Sequence, residues 1–190
     1  MSRRRCISSL TLALVGLLAA GRAGAQQVLD GEAQIKAAFV YNFLKFVEWP
    51  PLSPEHDGDS LVVAIVGGGA LAEATELFLA EKHVGERRVV VRQVKWDKPL
   101  TGVNAVLVTE TDAKRVHHIL STTVSGAILS IGEGEAFAST GGVIALVIQD
   151  RRVRFDIDIG AASASGLRIS SKLLALTRVI HPDKAKGPRP

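Results

Sequence analysis

The glycine run at residues 67–69 has the composition of a phosphate-binding loop. Gly67-Gly68-Gly69 follows an apolar run and precedes a helical pattern, the place where α/β proteins hold phosphate on backbone amides. However, the run fits neither G-x-G-x-x-G nor the P-loop pattern, and no Lys-Ser/Thr pair follows it. A tight turn is therefore the better interpretation.

The titratable side chains indicate no metal centre and no catalytic group. The five histidines show no H-x-H, H-x-x-x-H or H-E-x-x-H spacing, and His117 and His118 would point about 100° apart on a helix. No G-x-S-x-G occurs, and the chain has one cysteine, Cys6. Asp156 and Asp158 have a spacing that fits a solvated strand face better than an acid–base pair. We therefore expect no enzyme activity, no cofactor and no metal.

A third group of residues lies near the end of the chain. Ser171 and Lys172 open a predicted helix, and Arg178 follows them. Amides, hydroxyls and cations that converge there could hold an anion, which makes Ser171, Lys172 and Arg178 a candidate ligand-binding site. Simple helix capping by Ser170 or Ser171 accounts for the same pattern.

The segment at residues 31–51, GEAQIKAAFVYNFLKFVEWPP, predicts an apolar helix. Asp30 can cap this helix, and Pro50-Pro51 ends it. One side carries six apolar residues: Ile35, Ala38, Phe39, Phe43, Phe46 and Trp49. Asn42 falls within that side, where a buried amide would need hydrogen-bond partners.

The opposite side of this helix is not polar either. It carries four further apolar residues: Val40, Tyr41, Leu44 and Val47. A helix that is apolar nearly all round needs a second surface to cover it. That surface is either the rest of the domain or another molecule.

The segments that follow alternate between strand and helix patterns. Apolar and β-branched runs predict strands at residues 61–66, 88–96, 104–109, 127–131 and 143–148. Amphipathic spacing predicts helices at residues 70–82 and 111–121, the first with Leu77 and Phe78 on its inner side. This alternation predicts a single α/β domain with a mostly parallel sheet flanked by helices.

The last third of the chain predicts an antiparallel hairpin and a final helix. After a turn at Asp150-Arg151, apolar and charged residues alternate through residue 159, which places Asp156 on a solvated face. Asp158 is expected to cap a short helical segment. A final helix is expected to begin at Ser170 or Ser171, with an inner side formed by Leu173, Leu174, Thr177 and Ile180.

The two ends of the chain are predicted to lie outside the folded domain. Residues 1–25 have the pattern of a secretory signal peptide, with Arg3-Arg4-Arg5, an apolar stretch and a cleavage site that ends at Ala25. The apolar stretch is short for a membrane span, and an uncleaved anchor is the alternative. The domain then covers residues 26–181, and the polar, proline-rich residues 182–190 are expected to be disordered.

Removing the signal segment changes the charge and the cysteine content. The whole chain has 23 basic and 19 acidic side chains, and four of the basic ones lie in residues 1–25. The mature chain would have 23 − 4 = 19 basic and 19 acidic side chains, so its net charge gives no reason to expect nucleic acid as a partner. Cys6 would be removed as well, so the mature protein cannot form an internal disulfide.

Two blocks of the sequence resemble one known family. IKAAFVYNFLKFVEWP, residues 35–50, resembles the opening signature of the YfiR-like (YfiR/HmsC) family of periplasmic proteins. GGVIALVIQDRRVRFDIDIGAASASGLRISSKLLALTRVI, residues 141–180, resembles the strand–turn–strand of that family and its following GL-[KR]-ISS helix. Residues 60–135 fit the family in element order but have no distinctive motif. Similar proteins often carry paired cysteines, and their absence here argues against thiol-based sensing.

The resemblance implies a periplasmic repressor of a membrane-anchored diguanylate cyclase. Such a protein would bind the periplasmic part of the cyclase, lower cyclic di-GMP and reduce biofilm formation. The resemblance also implies a homodimer, and release of the repression by an outer-membrane OmpA-like lipoprotein. We expect partner or dimer contact through the outer side of the first helix, at Tyr41, Leu44, Lys45 and Val47. The alternative is a periplasmic small-molecule sensor without a cyclase partner.

Overall fold

The computed structural model describes residues 20–50 and 59–181. Side-chain environments are described for residues 31–50 and 59–179. Most of the predicted signal peptide, residues 51–58 and the predicted disordered tail at residues 182–190 lie outside the described residues. Within the described part, no helix is both long enough and apolar enough to cross a membrane.

Helices and strands alternate along the chain. The helices are α1 (Ala20–Phe46), α2 (Ala70–Leu79), α3 (Ala113–Thr123), α4 (Glu135–Ser139), α5 (Ile159–Ala164) and α6 (Ser171–Leu174). The strands are β1 (Val47–Glu48), β2 (Ser60–Val66), β3 (His83–Val84), β4 (Arg87–Gln93), β5 (Ala105–Val108), β6 (Leu129–Glu133), β7 (Ile144–Gln149), β8 (Arg152–Asp158), β9 (Arg168–Ile169) and β10 (Val179–His181).

The main sheet has eight strands in the order β10-β8-β7-β6-β5-β2-β4-β3. Strands β4, β2, β5, β6 and β7 run parallel, and only the β3–β4 and β7–β8 pairs are antiparallel. A second sheet consists of β1 paired antiparallel with β9. The predicted single α/β domain with a mostly parallel sheet flanked by helices is confirmed.

Strand β2 lies at the centre of the sheet and is buried on both faces. Leu61, Val63 and Ile65 pack in one apolar cluster together with α1 and α2. The alternating residues of the same strand, Val62, Ala64 and Val66, pack in a second cluster on the opposite face, together with α3 and α4. A strand covered on both faces has no polar side, which is why this stretch is a continuous apolar run.

The hairpin predicted in the last third is present. Strand β8 pairs antiparallel with β7, from Ile144 opposite Ile157 to Gln149 opposite Arg152. Asp150 and Arg151 form the turn with φ values of 49° and 57°. Positive φ at both central residues matches the twist of the flanking strands and keeps the hairpin tight.

The predicted final helix is wrong over most of its length. Ser170 caps α6, but this helix ends at Leu174, and Thr177 and Ile180 do not form a helical inner side. Instead β10 pairs parallel with β8, and the Arg178 amide donates to the Phe155 carbonyl at 2.9 Å. The open edge of β8 supplies backbone partners that a continued helix would leave unused.

Two other differences concern the start of helix α1 and the presence of helix α4. Helix α1 starts at Ala20, so Asp30 lies within the helix and does not cap it. Helix α4 was not predicted from the sequence, because it has only five residues and begins after Gly134, whose φ is 82°. Helices this short give too few turns for a periodic apolar pattern.

Candidate functional site

The inner side of α1 fixes this helix on the sheet. Val40, Phe43 and Leu44 have no solvent exposure. Phe43 packs edge-on against Phe155 of β8 with ring centroids 5.0 Å apart, and Phe39 lies within 6.0 Å of both rings. Aromatic pairs at such distances each contribute about 0.5–1.5 kcal/mol beyond burial. Helix α1 is therefore held in one orientation, and its outer side is presented in a fixed position.

The two sequence blocks that resemble one family are in contact in the fold. Strand β1 directly follows α1 and pairs with β9, with Val47 opposite Ile169. After β1, the Trp49 Nε1 donates to the carbonyl of Asn104 at 3.0 Å. The opening helix is thereby attached to both the C-terminal block and the start of β5.

Aromatic rings and cations line the seam between α1 and α2. The Tyr41 ring lies 6.2 Å from the Phe78 ring, and the Tyr41 hydroxyl donates to the His83 carbonyl at 2.8 Å. Lys45 Nζ lies 5.4 Å from the centre of the Tyr41 ring, and Lys82 Nζ lies 5.2 Å from that of Phe78. These contacts hold the rings in place and give this part of the surface a positive charge.

An open groove of about 400 Å³ continues along the same seam. Its lining residues are Ala33, Gln34, Ala70, Glu73, Ala74, Leu77 and Phe78. The small alanine side chains leave room for the groove. Leu77 projects into solvent with 78% of its surface exposed. We call Gln34, Tyr41, Lys45, Leu77 and Phe78 the α1–α2 face. Chemically, the groove can receive an apolar side chain, and Lys45 can attract an acidic group beside Tyr41, whereas Glu73 lines the groove itself.

The structure separates the four residues predicted to contact a partner. Lys45 is exposed and Tyr41 is half-buried, so both belong to the α1–α2 face. Leu44 is fully buried and Val47 is 5% exposed, and both pack in the core cluster. The expectation that Leu44 and Val47 lie on an outer side is wrong. The sheet and α2 together bury more of the α1 surface than a single apolar stripe.

Two further expectations for side-chain direction are wrong. Asn42 is exposed rather than buried on the apolar side of α1. Leu77 was expected on the inner side of α2, but the buried residues of that helix are Leu71, Ala72, Thr75 and Leu79. The error at Asn42 arises because α1 is apolar nearly all round, so its sequence does not fix which stripe faces the core. An exposed leucine beside a groove lined by alanines could not be recognised without the packing of α1 on α2.

The predicted ligand-binding residues do not form an open cationic site. Ser171 and Lys172 are exposed at the start of α6, where Ser170 Oγ accepts from the Lys172 amide at 3.3 Å. Arg178 is engaged by carboxylates: its Nε donates to Asp156 Oδ1 at 2.9 Å, and its NH1 lies 2.8 Å from Glu135 Oε1. Ser170 therefore acts as a helix cap, which was the alternative interpretation of this segment. The positive charge of Arg178 is already neutralised by Asp156 and Glu135.

Asp156 is buried, which corrects the prediction that it lies on a solvated strand face. Only 1% of its surface is exposed, and both of its carboxylate oxygens accept from Arg178. Hydrogen bonding to Asp156 is the main reason that the pKa of Arg178 is raised above its usual value, and Glu135 adds to this effect. Asp158 instead caps α5, as predicted, by accepting from the Ala161 amide at 2.8 Å. The two carboxylates therefore have structural roles.

A second ion-pair group lies near the middle of α1. Lys36 Nζ lies 2.6 Å from Glu32 Oε1 and 2.5 Å from Glu133 Oε1 at the end of β6. Burial alone would lower the pKa of Lys36, but hydrogen bonds to Glu133 and Glu32 outweigh it and raise the pKa. Among the residues that the structure describes, no three His, Cys, Asp or Glu side chains are grouped so that they could hold a metal ion.

Comparison with known proteins gives one family match. The sequence profile of a family described as YfiR/HmsC-like matches residues 33–178. This range includes the first sequence block, residues 141–178 of the second block, the α1–α2 face and the Asp156–Arg178 pair. A search of curated proteins finds no match.

A solved structure is partly similar. It is described as a conserved domain protein from Vibrio cholerae O1 biovar El Tor str. N16961, with a TM-score of 0.48 and 14% sequence identity. The alignment covers 66% of this chain and 56% of that one, so the chain spans little more than half the length of its structural neighbour.

Proposed function

Because this chain belongs to the YfiR/HmsC-like family, we propose that it represses an inner-membrane diguanylate cyclase by binding the periplasmic part of that enzyme. Repression would lower cyclic di-GMP and biofilm formation. The family is periplasmic, and it regulates diguanylate cyclase signalling rather than catalysing a reaction. The observation that carries the proposal is the profile match, which extends over residues 33–178 of the 190-residue chain.

The α1–α2 face is the surface that best suits contact with the cyclase. Leu77 is the most exposed of the large apolar side chains in the part of the chain that the structure describes, and it borders a groove of about 400 Å³. Lys45 and Lys82 add positive charge beside Tyr41 and Phe78. An apolar centre with a charged rim is the usual composition of a transient protein interface.

Repression by binding requires a difference in affinity between two states of the cyclase. A protein that binds both states equally well shifts nothing, however tightly it binds. A tenfold change in cyclase activity needs roughly 1.4 kcal/mol of preference for the inactive state. One exposed leucine that is buried in only one of the two states could supply that amount.

Export to the periplasm, dimer formation and relief of the repression belong to the same proposal. Cleavage after Ala25 would deliver a chain that begins at Gln26 to the periplasm. We further propose that the mature protein is a homodimer and that an OmpA-like outer-membrane lipoprotein relieves the repression. The intact mass of the periplasmic protein tests cleavage after Ala25, and light scattering of the purified protein tests dimer formation.

Cellular cyclic di-GMP tests the proposed function. Deletion of the gene should raise the cyclic di-GMP level, and a second deletion of one membrane-anchored diguanylate cyclase should return it to the starting level. That second deletion also identifies the partner. An unchanged level in the single deletion under several growth conditions would contradict repression.

A small-molecule sensor without a cyclase partner is the second candidate. Two clefts at the carboxyl ends of the parallel strands favour it, since ligands of α/β sheets bind there. The larger cleft, of about 570 Å³, is lined in part by Trp96, Asp97 and Glu110. A ligand that stabilises the protein, in a cell where the gene deletion leaves cyclic di-GMP unchanged, would favour this candidate.

A further inference from the structure

The smaller cleft lies where the parallel strands β5 and β6 end. It has a volume of about 300 Å³, which is at the lower end of the range for ligand pockets. Its apolar lining consists of Val108, Ala113, Val116, Ala136 and Phe137, and its polar lining consists of Thr109, Glu110, Thr111, Glu133 and Thr140. We call this the β5–β6 cleft. It is the right size for a compact molecule with a polar end and a short apolar body.

The polar groups around the β5–β6 cleft are mostly hydrogen-bond acceptors. The Thr140 hydroxyl donates to the Phe137 carbonyl at 2.8 Å, and the Thr109 hydroxyl donates to the Val66 carbonyl at 3.4 Å. Each hydroxyl oxygen therefore retains only acceptor capacity. Glu110 is held ionised, because hydrogen bonds from the Asp112 amide and Arg115 lower its pKa. Both Glu110 oxygens are already engaged, Oε1 by the Thr111 and Asp112 amides and Oε2 by Arg115 NH1 at 3.1 Å. The acceptors left for a ligand are therefore mainly Glu133 and the two hydroxyl oxygens, which an ammonium group, with three donors and no acceptor, complements.

The backbone amides that would attract an anion at this edge are occupied by the protein itself. Glu110 Oε1 accepts from the amides of Thr111 and Asp112 at 2.9 and 3.1 Å. Asp112 Oδ1 accepts from the amides of Lys114 and Arg115, both at 3.0 Å. The start of α3 is thus saturated by carboxylates. An incoming phosphate or carboxylate would meet negative charge where a phosphate-binding fold offers free amides.

Glu133 can exchange its partner without leaving a buried charge unpaired. Lys36 is buried, and it contacts the carboxylates of Glu32 and Glu133 at the same time. If a ligand ammonium took over Glu133, Lys36 would keep Glu32 as its partner. An exchange of this kind avoids the penalty for a buried, unpaired ammonium.

We propose that the β5–β6 cleft binds a small primary amine in its ammonium form. The ammonium group lies between Glu133 and Thr140, and the apolar body lies over Phe137. Lys36 belongs to α1, so occupancy of the cleft is transmitted to the helix that carries Tyr41 and Lys45. Only this transmission depends on the proposed function, whereas the binding itself does not.

Titration of the purified mature protein with n-butylammonium tests the proposal. Saturable shifts of the backbone NMR signals of Thr109, Thr111 and Val116, together with Lys36, are expected. Butyrate and n-butanol have the same body without the ammonium group, and neither should produce these shifts. Absence of saturable shifts with n-butylammonium, or equal shifts with butyrate, would overturn the proposal, whatever the outcome of the cyclic di-GMP experiment.

A pair of variants locates the site. Glu133→Gln should weaken n-butylammonium binding roughly fivefold, as expected for a partly exposed ion pair. Glu135→Gln is the matched control, because Glu135 contacts Arg178 and does not line the cleft, and it should leave binding unchanged. Equal binding by the wild-type protein and both variants would place the amine elsewhere and contradict the proposal.

Discussion

At the scale of single residues, Asp156 shows how the fold makes use of a buried charge. Its side chain is 2% exposed and is neutralised by the two hydrogen bonds from Arg178. Arg178 precedes β10, and its backbone amide bonds to the strand that carries Asp156. The pair therefore joins the end of the domain to β8. Removing one partner from a buried ion pair costs more than the pair contributes, because the remaining charge is left desolvated.

Replacement of Arg178 tests this role. Arg178→Met should reduce stability in urea by roughly three times as much as Glu135→Gln, because Asp156 is left unpaired whereas Glu135 is 71% exposed. The double variant Arg178→Met, Asp156→Asn should recover part of the loss. Equal urea midpoints for the two single variants would show that the pair does not hold β10 on β8.

The glycine run offers a second test at residue scale. Gly67 has φ of 112°, and a Cβ atom there would lie 2.5 Å from Thr109 Oγ1 and 2.7 Å from the Glu110 amide nitrogen. Gly67→Ala should therefore cost about 1–3 kcal/mol. At Gly68 a Cβ would meet nothing within 4 Å, so Gly68→Ala should stay within about 0.5 kcal/mol of wild type. Equal melting temperatures for the two variants would contradict the close approach of the two strand ends.

At the scale of elements, α1 carries both the core contacts and the proposed contact surface. Its sequence predicts a helix but not its rotation, because apolar residues occur on almost every side. The structure settles the rotation through Phe43 and Leu44, which pack inward, and leaves Asn42 exposed. Tyr41 and Lys45 then remain available along the seam with α2.

Neighbouring substitutions in α1 test this rotation. Leu44→Ala should cost about 2–5 kcal/mol, since it removes a fully buried side chain. Asn42→Ala should change the free energy of unfolding by less than about 0.5 kcal/mol, since Asn42 is exposed. The sequence-based assignment of Asn42 to the buried side predicts a clear loss for Asn42→Ala, so chemical denaturation distinguishes the two orientations.

The elements that could be predicted from sequence are those with a strong local pattern. The buried strand β2 and the β7–β8 hairpin follow from apolar runs, alternation and a turn. Strand β10 could not be predicted, because its partner β8 lies more than 20 residues earlier and the local sequence suits a helix equally well. The same holds for the β5–β6 cleft, since Glu110 and Glu133 are brought together only by the parallel pairing of β5 and β6.

At the scale of the whole molecule, two surfaces are connected by one helix. The α1–α2 face lies along the outer side of α1, and the β5–β6 cleft contacts the same helix through the Glu133–Lys36 ion pair. The family match covers both regions. Under the two proposals made above, the α1–α2 face would contact the cyclase, and occupancy of the β5–β6 cleft would adjust that contact through α1.

Synthesis of cyclic di-GMP by the full-length cyclase in lipid nanodiscs tests the central claim most directly. The cyclase is the enzyme identified by the double deletion, and the mature protein is added at increasing concentration. We predict a saturable fall in the rate, a large loss of this effect in Leu77→Lys, and no loss in the matched control Leu176→Lys, which is 66% exposed on α6's C-terminal side. A rate that stays constant at every concentration of the wild-type protein would contradict repression by direct contact.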